Sequence, residues 1–168
     1  MHNENRYAIM EDVVKIASYI ADRYQSEFGT MIDEMKLHKL LYFTQRESII
    51  QTGAPMFQTL FEAWKYGPVL VEIRPYYKSD SLHETLPITF VQSYKSVFDK
   101  VFKQYAPKDS WSLSTLSHGE YSWQQARKGV SSEEKSTVKI KLEDIYQDAK
   151  RIKERRFVLD KMKALSEN

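Results

Sequence analysis

At 168 residues, 42% hydrophobic and 13% aromatic, the chain has the apolar content for one packed domain, since about 150 residues bury roughly 70% of their unfolded surface. The absence of cysteine removes disulfides, thiol nucleophiles and thiolate metal sites together. A formal charge of +2, from 25 basic and 23 acidic residues, does not advertise nucleic-acid binding by the chain as a whole.

Ile9, Val13, Ile16, Ala17, Ile20, Ala21 and Tyr24 recur at steps of three and four, which predicts a first amphipathic helix over 10–27, with Glu11 and Asp12 at its positive end and Gly29 as its stop. Asp33 reads as the cap of a second helix, because Ile32 and Leu37 can close a hydrophobic staple around it. This helix runs to Thr52 before Gly53. Leu37, Leu40 and Leu41 lie against Tyr42, Phe43, Ile49 and Ile50 on its other side, so it is expected at the centre of the fold. Leu60–Tyr66 reads as a strand, and Gly67-Pro68 as the start of a third helix that Pro75 kinks or ends near Arg74. A polar loop over Ser79–Pro87 leads to a helix capped by Thr89, carrying Phe90 to Tyr105 and closed by Pro107. Asp109 and Ser122 are candidate caps of two short helices, with Ser122-x-x-Gln125 spaced as a capping box. After a linker-like stretch at 130–137, Val138–Lys141 is expected as a second strand that pairs with Leu60–Tyr66, and 142–165 as a final helix interrupted at Arg156. There is no internal repeat and no low-complexity tract.

Few chemical motifs survive scrutiny. His118-Gly119-Glu120 has the His-x-Glu form of zinc deaminases, but their Pro-Cys-x-x-Cys cannot exist here, and His2, His38 and His83 offer no i,i+4 partner. No metal is expected, and His118 reads as a structural or hydrogen-bonding residue. The five glycines stand singly, so neither a phosphate loop nor a dinucleotide fingerprint can be assembled, and no cofactor is expected. Serines between Ser110 and Ser122 lack a nucleophile elbow and read as helix caps. The basic run Lys150–Arg156 spreads its charge around a helix, as a solvated face does. Alternation sets Phe61, Ala63 and Lys65 on one strand face and Glu62, Trp64 and Tyr66 on the other, leaving aromatic side chains available to a partner.

Three segments mix packing residues with breakers and polar groups in a way that amphipathicity does not explain. They are Lys36-Leu37-His38-Lys39-Leu40-Leu41-Tyr42, then Glu62-Ala63-Trp64-Lys65-Tyr66-Gly67-Pro68-Val69, then Leu113 to Arg127 with His118, Glu120, Trp123 and Ala126-Arg127. In this order and spacing they resemble the Panacea domain family of SocA-like antitoxins and phage-associated proteins, over residues 13–146. The resemblance implies a mainly α (α+β) fold, a single compact helical domain over 1–168 with a small two- or three-stranded sheet. It also implies an antitoxin that binds and neutralises a cognate protein toxin encoded beside it, with Tyr42, Glu62, Trp64 and Tyr66 as the candidate contact residues. It carries over no catalytic residue. Pro75 departs from the family's usual helix, and no extra DNA-binding module is evident. Three alternatives stand beside it: a proteolytic adaptor for a toxin, a hydrolytic or nuclease-type enzyme centred on His118, Glu120 and Arg127, and a nucleic-acid-binding regulator using Lys150–Arg156. No apolar run reaches the roughly 18 residues of a membrane span and no signal core follows Met1, so a cytoplasmic protein is expected, with self-association left open.

Overall fold

The computed structural model describes residues 10–167, and its first two helices begin and end on side-chain chemistry. Helix α1 (Val13–Phe28) opens where Asp12 accepts from the Val14 N–H and closes at Gly29, φ 74. Helix α2 (Glu34–Thr52) opens where Asp33 accepts from the Lys36 N–H and closes at Gly53, φ 77. Every residue from Lys36 to Ile50 is buried, so α2 is the axis of the domain. The Lys36 ammonium keeps its hydrogen bonds there, to the Tyr24 hydroxyl at 3.0 Å and the Ala106 carbonyl at 3.2 Å.

The sheet is an antiparallel hairpin, β1 (Glu62–Trp64) and β2 (Gly67–Val69), turned by Lys65 and Tyr66. Gly67-Pro68 therefore begins a strand and not the expected helix. Gly67 at φ 115 accepts the reversal, and Pro68 is tolerated because β2 lies at the sheet edge. On the other side of β1 the expected pairing forms as a short bridge. The Ala63 N–H donates to Val138 O and the Ile140 N–H to Phe61 O, both at 2.8 Å.

A 3₁₀ turn at Val71–Ile73 feeds α3 (Arg74–Lys78), which corrects the reading of Pro75 as a helix end: it sits in the first turn, where its missing N–H costs nothing. The helix expected from a Thr89 cap is two, α4 (Ile88–Ser93) and α5 (Lys95–Gln104), separated at Tyr94, whose φ of −105 and ψ of 16 leave the helical region while its ring enters the core. Pro87 precedes the first, and Thr89 lies inside it. Helix α6 (Ser110–His118) is capped by Asp109 as expected. Helix α7 (Tyr121–Ala126) is not capped by Ser122, which is its second residue. Its free amides are met from another helix, because Asp148 of α8 (Leu142–Ser166) accepts from the Tyr121 and Ser122 N–H groups at 2.8 Å each.

Helix α8 runs unbroken through Arg156, where an interruption was expected. The run holds good helix formers and neither Gly nor Pro, and Arg156 ties down to buried Glu47 at 2.9 Å. Its first half packs on α2 and α7 through Ile145, Asp148 and Ala149. Its second half leaves Phe157, Val158, Leu159, Met162 and Leu165 exposed. Replacing Met162 and Leu165 by serine should therefore change unfolding free energy by less than about 0.5 kcal/mol each. A urea titration showing a loss above about 2 kcal/mol would mean that this half is docked. Among the described residues no helix is long and apolar enough to cross a membrane.

Candidate functional site

The three unexplained segments meet at the hairpin: the second forms it, and the other two supply side chains that hydrogen-bond its backbone. From the third segment, Arg127 donates to Ala63 O at 3.0 Å, the Trp123 indole N–H to Trp64 O at 2.9 Å and the Ser114 hydroxyl to Tyr66 O at 2.8 Å. From the first, Lys39 donates to Pro68 O at 3.2 Å, and His38 Nδ1 accepts from the Leu70 N–H at 3.1 Å. His118 lies against the Lys65 backbone and stacks on Trp123 with ring centroids 4.3 Å apart. Arg127 also donates to Ser131 O and Glu134 O, at 2.9 and 2.7 Å, fastening the following loop to the same strand. The arrangement fixes a short strand pair that would be marginal by itself.

Beside the hairpin lies a cavity of about 570 Å³, between α2, α3 and the loop at 135–137. Met35, Trp64, Tyr66 and Val69 give it apolar walls, and Glu34, His38, Lys39, Lys65, Arg74 and the loop residues Lys135, Ser136 and Thr137 its charged and polar ones. Burial pulls the Lys39 ammonium down to about 7. Burial also lowers His38, which is thus neutral near pH 7. With Nδ1 accepting, its proton sits on Nε2, 3.5 Å from Glu34. Glu34 is held down to about 2 by His38 beside it and by Arg74 at 2.8 Å. Arg74 in turn covers the Trp64 ring at 4.9 Å.

The expected contact residues separate on burial. Tyr66 is 45% exposed and meets Trp111, 62% exposed, edge to face at 5.3 Å. Trp64 is half-buried as a cavity wall, and Glu62 is buried beside Lys139. Tyr42 is wholly buried and does not belong to a contact surface, because its hydroxyl turns inward to Ser122 at 2.7 Å and Asp148 at 3.1 Å. Leu37, Leu40, Leu41 and Ala63 are core residues.

Glu120 and His118 do not form one centre. His118 and Arg127 face the hairpin, whereas Glu120 turns to Arg46, with which it makes a short buried ion pair. Arg46 continues to the Tyr105 hydroxyl at 2.5 Å. Burial pushes the Glu120 carboxyl up to about 7, reinforced by the Asp148 carboxylate and opposed by Arg46. The basic run is divided likewise: Arg151 lies 3.5 Å from Glu120 and Arg156 pairs with Glu47. Among the described residues no group of three His, Asp or Glu side chains is placed to hold a metal ion.

Sequence reading missed Trp111, Arg46 and Asp148. Asp148 had a signal, since it falls on the stripe of Ile145, Ala149 and Ile152, where an acid must find partners. Arg46 had one too, as a cation on the helix with apolar residues on two faces.

A family model described as Antitoxin SocA-like, Panacea domain, matches residues 37–124, just over half of the chain. The matched stretch takes in the hairpin and each of its clamps except Arg127. The Antitoxin SocA of Caulobacter vibrioides (strain NA1000 / CB15N) is 34% identical over 58 residues, which span 34% of this chain and 30% of that protein. The chain thus aligns with under a third of that relative's length. No solved structure matches the chain.

Proposed function

This chain belongs to the Antitoxin SocA-like, Panacea domain family, and from that premise we propose that it is an antitoxin that neutralises a cognate protein toxin by direct contact. The contact face is the hairpin tip, with Tyr66 and Trp111 as anchors and Trp64 at their side. The observation that carries this reading is that four side-chain donors hold the hairpin backbone rigid while Tyr66 stays open to solvent. An aromatic presented on a fixed backbone has little conformational entropy left to lose on binding, which is what a tight contact requires. The open edge of β2 contributes less than this tip, because that strand is only three residues long.

The test is co-expression with the product of each flanking gene, followed by binding measurements on the pair that shows relief of toxicity. Tyr66→Ala and Trp111→Ala should each weaken the complex by about 2 kcal/mol, roughly thirtyfold, and leave the melting temperature nearly unchanged because both side chains are largely exposed. If the double variant binds as tightly as wild type, the contact lies elsewhere. If the wild-type chain relieves neither product, the antitoxin reading fails. Trp64→Ala is less decisive, since Trp64 is also a wall of the cavity.

A further inference from the structure

The cavity beside the hairpin holds buried hydrogen-bond donors that its walls leave short of acceptors. Lys39 has three N–H bonds and one acceptor, the Pro68 carbonyl at 3.2 Å. Among the described residues no carboxylate pairs with it. The acid that acts on it, Asp33, is engaged by the Lys36 N–H and the Ser110 hydroxyl. A second wall residue, Trp64, has a ring N–H (Nε1) that is buried with no hydrogen-bond partner, whereas His38 Nε2 faces Glu34 at 3.5 Å. Buried donors short of acceptors are rare in folded proteins, and two on one cavity, Lys39 Nζ and Trp64 Nε1, call for a common explanation.

We propose that this cavity binds a carboxylate carried on an apolar body, with the acid group at Lys39 and the apolar part against Trp64, Tyr66 and Val69. A volume of about 570 Å³ suits a small ligand or an inserted side chain. A carboxylate brings two acceptor oxygens and the missing negative charge. A neutral amide supplies an acceptor but leaves the ammonium uncompensated. A phosphate, with up to two negative charges, would have only Lys39 and the loop residue Lys135 to meet it, because Arg74 is paired with Glu34 at 2.8 Å and Lys65 with Glu133 at 2.7 Å. The fall of Lys39 to about 7 is what a buried ammonium without an adjacent anion undergoes. The same chemistry is offered by a free organic acid and by an Asp or Glu beside an apolar residue of a polypeptide. The inference stands whether or not the chain neutralises a toxin.

The experiment titrates the full, ¹⁵N-labelled chain with 3-phenylpropionate and, as the uncharged control, 3-phenylpropanamide. The readout is the indole N–H resonances of the three tryptophans. A second arm uses the capped dipeptides Ac-Phe-Asp-NH₂ and Ac-Phe-Asn-NH₂. The acid should shift the Trp64 resonance and bind at least tenfold more tightly than the amide, an advantage that Lys39→Met removes. The dipeptide arm identifies the source: an acid preference there extends the site to polypeptide carboxylates, and its absence confines the site to free acids. Failure of both acids to perturb Trp64, equal binding of acid and amide in both arms, or undiminished acid preference in Lys39→Met overturns the proposal. Should Lys39→Met not fold, the acid-to-amide ratio in the wild-type chain decides.

Discussion

Arg46→Ala should cost about 3–5 kcal/mol of folding stability, a large share of the roughly 5–15 kcal/mol that holds a domain folded, because it strands the Glu120 carboxyl in the interior. Both partners are almost wholly buried, at 2% and 5% side-chain exposure, so water cannot replace what is lost. The pair is costly as well as necessary. Burial outweighs the pull of Arg46 on Glu120, whose carboxyl lies near 7 against an ordinary 4.5. A carboxyl raised in the folded state binds its proton more tightly there than in the unfolded chain. Stability is therefore greatest below about 4.5 on account of this group, and it declines as pH rises to 7. The double replacement Arg46→Met with Glu120→Leu removes both charges together, and should recover most of the stability and lose that pH slope. Urea denaturation from pH 5 to 8 measures all three quantities. A single-variant loss below about 1 kcal/mol would show that Glu120 finds other partners.

Gly67→Ala should be nearly as damaging, although it adds one methyl group. At φ 115 an L side chain is strained, and the new Cβ would collide with Ser117 Oγ and Lys39 Cε. Neither neighbour yields easily: Ser117 donates to Ser114 O at 2.7 Å, and Lys39 is anchored on Pro68 O. Backbone strain of about 1–3 kcal/mol and overpacking of about 1–3 kcal/mol add to a loss near 4. Gly53→Ala is the matched control, with φ 77 but nothing within 4 Å of its Cβ, and should cost only about 1–2 kcal/mol. Equal thermal shifts for the two would mean that the close approach at the hairpin is relieved by movement.

The helices were legible where the chain punctuates itself. Asp33 with Gly53, and Asp109, bound their helices as local rules require, and apolar residues on both sides of α2 announced its central place. Gly67-Pro68 misled because Pro is at home in a helix's first turn and at a sheet edge alike, and only the tertiary hairpin chooses between them. The three segments were visible as a surplus over packing. What they do was not, since Lys39, Ser114, Trp123 and Arg127 act on carbonyl groups, and every residue has one. The Arg46–Glu120 pair spans 74 positions, a separation at which no periodicity operates. Tyr42 was misplaced because a tyrosine that satisfies its hydroxyl inside reads like one meant for a partner.

The capping of α7 by Asp148 also orders events in time. Six residues are too few to hold a helix alone, so α7 gains its N-terminal hydrogen bonds only after α8 has been made and has docked. Trp123, which clamps the strand at Trp64, lies in that helix. A chain emerging from the ribosome therefore lacks the Trp123 clamp on its hairpin until α8 has left the tunnel, even though Lys39 and Ser114 are already available, so the tip reaches its final rigidity only then.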